Sequence, residues 1–355
     1  MKTTLKRLHI TNMTVLSEAD LQLSPQLNVI AGENGAGKSH VLKLAYSIIA
    51  AGAETGAKLA PEPPTKSALS RAVAEKLIGV FGPDTLGRLA TRRRGRERCE
   101  VEAAFHDSRL DISFDFASNS KSEVNISKVP KASVPKSPVF LPTRELLSIY
   151  PGFVSVYDSH YLEFEETWRD ACRLLGAPLA RGPREARVRK LLPPLEESMG
   201  GSIVLEKSGR FYLKIPGQGS MEMPLVAEGL RKLGMIARLI ATGALLEQGY
   251  LFWDEPETNL NPRLIKEVAR TILNVCNSGI QVFVATHSLF LMREIDILLH
   301  SSDEGPTKAR FFGLHPADLG YRVEQGDDVD SIGRLDALEE ELSQSDRYLK
   351  AGGAA

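Results

Sequence analysis

Residues 32–39 read "GENGAGKS" and satisfy the spacing G-x-x-x-x-G-K-[ST] in full. Gly32, Gly35 and Gly37 let the backbone curl so that successive N–H groups point inward as a nest for an anion. The strand-like run "ADLQLSPQLNVIAG" leads into the loop. The helix pattern "KSHVLKLAYSIIAAG" leaves it, with Val41, Leu42, Ala45, Ile48 and Ile49 on one face. A helix starting at Lys38 adds its positive N-terminal end. In such a loop the lysine reaches the β- and γ-phosphates of a nucleotide, and the Ser39 hydroxyl faces Mg2+. Glu33, Asn34, Ala36 and His40 complete the candidate nucleotide contacts. A nucleotide with Mg2+ is the expected ligand.

A second stretch, "GYLFWDEPETNLNP" (249–262), runs large apolar and aromatic residues straight into two acids, Asp254 and Glu255. A buried strand gains nothing from ending in two negative charges unless a cation compensates them. Asp254 is therefore read as the acid that holds Mg2+ through water. Glu255 is read as the group that orients or deprotonates the attacking water. "VATHS" (284–288) delivers His287 to the carboxyl end of another apolar strand, the edge where open α/β sheets bind ligands. Its expected role is a hydrogen bond to the γ-phosphate. Lys38, Glu255 and His287 are thus the catalytic candidates, and Ser39 and Asp254 the metal candidates.

The 355 residues are 43% hydrophobic and 25% charged, with a formal net charge of −1, so any nucleic-acid contact must come from a local patch. Cys99, Cys172 and Cys276 are far apart and form no C-x-x-C pair, which argues against a zinc clasp or disulfide framework and makes a reducing cytoplasm the expectation. The N-terminus alternates apolar and polar residues as a strand does and lacks the apolar core of a signal peptide. The longest apolar stretch, Leu233 to Trp253, is interrupted by Arg238, Glu247 and Gln248, so no segment is expected to cross a membrane.

Six segments are expected. Residues 1–52 form the first half of an ATPase lobe, and 53–98 an insertion ending in the arginine run "RLATRRRGRER" (88–98). Residues 99–142 alternate as an antiparallel β-subdomain and end in a core strand, and 143–204 carry helical patterns. Residues 205–315 alternate strand and helix, arguing for a mostly parallel sheet. Residues 316–355 read as an acidic tail ending in one short helix.

"GENGAGKS", "DEPETNLNP" and "VATHS", in that order, resemble an ABC-type ATPase head of the RecF, SMC and OLD-like branch. The opening "LHITNMTVLSEADLQL" resembles that branch's first hairpin. The resemblance covers roughly residues 1–50 and 205–300. It implies an α/β P-loop NTPase fold: an ABC-ATPase-like head with a mostly parallel core sheet, an antiparallel β-subdomain and a helical insertion. It also implies a homodimer that sandwiches two ATP–Mg2+, with the γ-phosphate held between Lys38, His287 and the opposing Gly229 loop. Two departures stand out. In "LVAEGLRKLG", Gly229 matches the signature glycine, but Ala227 stands where a serine hydroxyl is expected, a missing hydrogen bond worth about 1.5–3 kcal/mol. No glutamine follows strand 137–142; Thr143, Arg144 or Glu145 are the candidates to replace it.

The resemblance implies an AAA-family ATP-binding protein without a Toprim nuclease domain. Its expected role is a nucleotide-gated sensor or scaffold of a prokaryotic anti-phage defence system, controlling a separate effector encoded nearby. Asp328 and Asp330 in "EQGDDVDS" have D-x-D spacing but read as a solvated acidic turn. The alternative is a RecF-like DNA-repair ATPase, with 88–98 as a phosphate-binding patch. A second basic stretch, 181–190, has the same two readings. Tyr161, Phe164, Trp168 and Leu174 at helical spacing read as core or partner contact. A third reading is a structural dimer with ATP as glue.

Overall fold

The chain was analysed as a computed structural model describing residues 3–91, 97–160, 162–301 and 307–352. It opens with β1 (Leu5–Met13) and β2 (Leu16–Gln22), an antiparallel pair, then β3 (Leu27–Gly32). Helix α1 (Lys38–Leu59) follows the glycine-rich loop, and α2 (Lys66–Phe81) folds back on it. Strands β4 (Arg98–Phe105), β5 (Ile112–Ala117), β6 (Asn125–Lys128) and β7 (Pro138–Leu141) come next. A helical region holds α3 (Tyr150–Ser159), α4 (Glu166–Leu175), α5 (Pro183–Leu191) and α6 (Pro193–Met199). Strands β8 (Ser202–Leu205), β9 (Phe211–Ile215) and β10 (Gly219–Glu222) make a small antiparallel sheet of their own. The remainder is α7 (Glu228–Ala241), α8 (Ala244–Glu247), β11 (Tyr250–Asp254), α9 (Pro262–Asn277), β12 (Gln281–Thr286), α10 (Leu289–His300), β13 (Ala309–Ala317), β14 (Gly320–Gly326) and α11 (Asp336–Gly352).

Among the described residues one large mixed sheet runs β6-β5-β4-β1-β2-β14-β13-β3-β12-β11-β7. Its parallel part is β13, β3, β12, β11 and β7. These strands are buried on both faces, which is why they read as unbroken apolar runs. Side chains of β11 alternate between two cores. Tyr250 and Phe252 face α1, where Phe252 stacks between Phe140 and Phe283 with Tyr46 edge-on. Leu251 and Trp253 face the layer of α7, α9 and α10. That alternation leaves Asp254 at the strand end, on the α1 side with the glycine loop.

Several elements run across the expected segment limits. Position 52 lies inside α1, whose 22 residues run on to Leu59. Strands β4–β6 of the 99–142 segment pair antiparallel and join the large sheet through β1, while β8–β10 form a second antiparallel sheet. The helical pattern over 185–200 splits into α5 and α6, because Pro193 and Pro194 lack the N–H groups a continuous helix needs. The segment after 315 is no simple tail. β13 continues to Ala317 and β14 returns beside it, bridging to β2 at Tyr321–Leu16. β14 is mostly half-exposed and carries Arg322, Glu324 and Gln325, so its sequence lacks an apolar stripe to announce a core strand. Asp328 there accepts from Ser331 N and Oγ at 2.8 and 2.5 Å, serving as a local cap.

A buried ionic network joins the phosphate-loop helix to the helical region. Lys76 on α2, 3% exposed, reaches Glu54 of α1 (2.5 Å) and Glu166 and Asp170 of α4 (2.7 and 3.5 Å). Tyr46 donates to Asp170 at 2.7 Å, and Lys43 pairs with Glu165. The three carboxylates have the spacing of a metal site, but the Lys76 ammonium sits among them. Among the described residues no helix is long and apolar enough to cross a membrane.

Candidate functional site

Strand β3 ends at Gly32, and the loop reaches α1 through two left-handed glycines, Gly35 (φ 86°) and Gly37 (φ 94°). A Cβ at Gly37 would meet Val15 Cγ2 at 2.9 Å, so the β1–β2 turn also demands glycine there. Glu33 is half-buried, Asn34 and Gly35 are exposed, and Ala36 is buried. Lys38 is buried and donates through Nζ to the carbonyls of Gly32 and Glu33, both at 2.9 Å. Burial pushes its pKa down, against the opposing pull of Glu255, Asp254, Glu257 and Glu33. The ammonium thus closes the loop on itself, and phosphate oxygens can replace these carbonyls.

The two distant motifs meet. Ser39 Oγ donates to Asp254 Oδ1 at 3.0 Å, across 215 positions of sequence. Asp254 is 7% exposed, and burial raises its pKa to about 6 even though the Ser39 hydroxyl pulls the other way. A carboxylate and a hydroxyl this close are hard oxygen ligands suited to Mg2+. A bound cation would offset that burial penalty.

Glu255 follows in a left-handed conformation (φ 46°), with its N–H donating to Ala285 O at 2.9 Å. Its Oε1 lies 3.2 Å from His287 Nδ1, and its Oε2 accepts from Thr258 Oγ1 at 3.4 Å. The His287 contact is the main cause of two opposite shifts, Glu255 below the usual carboxylate range and His287 above the usual imidazole one. Glu257, also buried, accepts from Thr286 Oγ1 (2.6 Å) and His287 N (3.3 Å). It fixes the backbone that presents the histidine.

This pairing yields a titration prediction. A raised folded-state pKa means the His287⁺–Glu255⁻ contact stabilises fully below pH 6.5 and is lost as pH rises through the raised value. A lowered Glu255 pKa means it is also lost at the acid end, as pH falls below the ordinary 4.5 through the folded value. Because the histidine side chain is 42% exposed, the effect is read better by NMR titration of the ring than by stability. In Glu255→Gln the ring pKa should drop toward 6.5; an unchanged titration would show that the pair does not form in solution.

Other sequence candidates are placed differently. His40 sits on α1 with Nδ1 2.8 Å from Thr14 Oγ1 and its ring against Phe81. Burial lowers its pKa. Gly229 lies in the first turn of α7, where a Cβ would come within 2.7 Å of Asn259 O, so close packing inside this chain already requires glycine. At the Gln-loop position, Glu145 is buried, pairs with Arg231 Nε at 2.9 Å and accepts from Ser148, while Arg144 is exposed. Residues 92–96 of the arginine run lie outside the described residues, as does Tyr161. On the basic stretch 181–190, Arg189 pairs with Glu185 and Arg187 donates to Ser278 O. Exposed Phe164 and half-buried Trp168 pack against buried Phe153.

One residue at the site went unread in the sequence. Lys232 of α7 is 3% exposed and donates to Glu255 O (2.6 Å) and Thr258 O (3.3 Å). Its only signal was a charge inside an otherwise buried helical face.

A glycine-rich phosphate loop, an acid pair at the next-but-one strand and a histidine between them, on this sheet, define the head of a P-loop ATPase. Residues 89–293, more than half of the chain, match the family AAA_21, described as "AAA domain, putative AbiEii toxin, Type IV TA system". The chain belongs to that family, and its fold is that of SMC heads. One similar structure is an SMC head bound to the C-terminal winged-helix domain of ScpA: TM-score 0.56, 14% identity, covering 92% of this chain and 98% of that one. Another is an SMC head with an extended coiled coil, bound to the C-terminal domain of ScpA, from Pyrococcus furiosus: TM-score 0.51, 13% identity, covering 97% and 99%. No curated protein matches the chain.

Proposed function

We propose that this chain binds and hydrolyses ATP between two paired heads, and that the paired state controls a separate effector in a prokaryotic defence system. The observation that carries the catalytic part is the convergence of Lys38, Ser39, Asp254, Glu255 and His287 on one sheet edge. Residues 32–40 would cradle the triphosphate, and Lys38 would exchange two loop carbonyls for phosphate oxygens. Bound Mg2+, held by Ser39 and Asp254, would neutralise charge on the β- and γ-phosphates. Glu255 would orient and deprotonate the attacking water, and His287 would leave Glu255 to donate to the γ-phosphate. Gly229 at the α7 N-terminus would face the second head's nucleotide.

The defence reading draws support from the family's description, "AAA domain, putative AbiEii toxin, Type IV TA system". The partner reading draws support from SMC heads that hold ScpA domains. The test is direct. Wild-type chain should bind ATP–Mg2+ by calorimetry and Lys38→Ala should not, and coexpression with the adjacent genes should give an ATP-dependent complex. A chain that turns over ATP normally and recruits no neighbouring product would leave the effector part without support. The basic run 88–98 favours DNA as the alternative ligand; ATPase stimulation by DNA that collapses between low and moderate salt would select it.

A further inference from the structure

Lys232 lies in the signature-like stretch 225–234 and, buried, meets the turn carrying Glu255. Among the described residues no carboxylate lies within ion-pair distance of its ammonium; its hydrogen bonds go to the main-chain carbonyls of Glu255 (2.6 Å) and Thr258 (3.3 Å). Burying a lysine is unfavourable, and here it pushes the pKa down to about 8. The turn has a carbonyl partner without it, since Thr258 N also donates to Glu255 O at 3.3 Å. The charge therefore needs a reason beyond filling an empty acceptor.

The reason lies in Glu255. A glutamate at φ 46° occupies a region that L side chains avoid, and it persists only where neighbours hold it. The backbone is pinned on both sides, by Ala285 O on the N–H and by Lys232 on the carbonyl. That conformation aims the side chain at His287. Three positions before Lys232 on α7, Gly229 packs against Asn259 O, so the helix touches the same turn at two points.

We infer that Lys232 is a positioning residue for hydrolysis, tethering α7 to the main chain that aims Glu255. The inference rests on the ATPase reading above. A displacement of α7, whose first turn is expected to face a second head, passes through this tether to Glu255, so pairing of heads and alignment of the base become one event.

The test compares Lys232→Met and Lys232→Gln, each alone and combined with Glu255→Gln, by kcat and by ATP–Mg2+ affinity from calorimetry. Lys232→Met should lower kcat about ten- to a hundredfold, the scale of a misplaced catalytic group, with Kd held within about threefold. Lys232→Gln, which keeps a donor, should recover part of the loss and serves alone if the methionine variant does not fold. In the Glu255→Gln background neither change should lower the residual single-turnover rate further, because the residue acts through Glu255. A kcat within about twofold of wild type, a parallel loss of affinity, or additive losses would each overturn the proposal. Failure of the ATPase reading looks different: the wild type itself would neither bind nor hydrolyse ATP.

Discussion

Replacing Glu255 by glutamine should cut ATP turnover by roughly 10²–10⁴-fold, the usual contribution of a positioned general base. The substitution is nearly isosteric. It keeps the N–H bond to Ala285 O and the carbonyl bond from Lys232, so the turn should hold its shape. What disappears is the charge that accepts a proton and that holds His287. Lys38, Ser39 and Asp254 are untouched, so ATP–Mg2+ should still bind and, without hydrolysis, the two-head complex should accumulate. Light scattering should show the particle mass doubling on addition of ATP–Mg2+ to the variant. Turnover within about threefold of wild type would assign the base elsewhere; a particle that stays monomeric with bound nucleotide would remove the sandwich.

The second large effect concerns Asp254, and its sign is unusual for an active-site change. Its carboxyl titrates near 6 in the fold against an ordinary 3.8, because burial penalises the charge. A folded-state pKa above the unfolded one means the native state binds the extra proton. Stability from this group is present below pH 3.8, falls as pH rises toward 6, and is gone at neutral pH. The ionised acid therefore costs the nucleotide-free protein up to ~3 kcal/mol there. Asp254→Asn keeps an acceptor for Ser39 Oγ and removes the charge, so it should raise the melting temperature of the nucleotide-free protein by several degrees. It should flatten the pH dependence between 4 and 6. The same variant should lose the Mg2+-dependent part of ATP affinity. A lower melting temperature would mean that the acid is already compensated in solution.

What the chain spelled out locally proved readable. The Gly32–Ser39 loop, the apolar runs ending at Asp254 and at His287, and the strand–helix alternation of 249–300 each depend on a few adjacent residues. Their pattern follows from backbone geometry and from burial on both sheet faces. The alternation of β11 likewise set which side Asp254 would face. Some features were decided only by tertiary contact. β14 enters the sheet on backbone pairing with β13, which needs no apolar stripe. Glu145 is held by Arg231 from another element, and Lys76 gathers carboxylates from two helices. Lys232 finds the carbonyl of Glu255 across 23 positions. The difference has one physical source. Periodicity and turn chemistry are short-range and leave a mark on neighbouring residues, whereas the pairing of a buried charge or the closing of a sheet edge is settled by whichever partner the folded chain brings near.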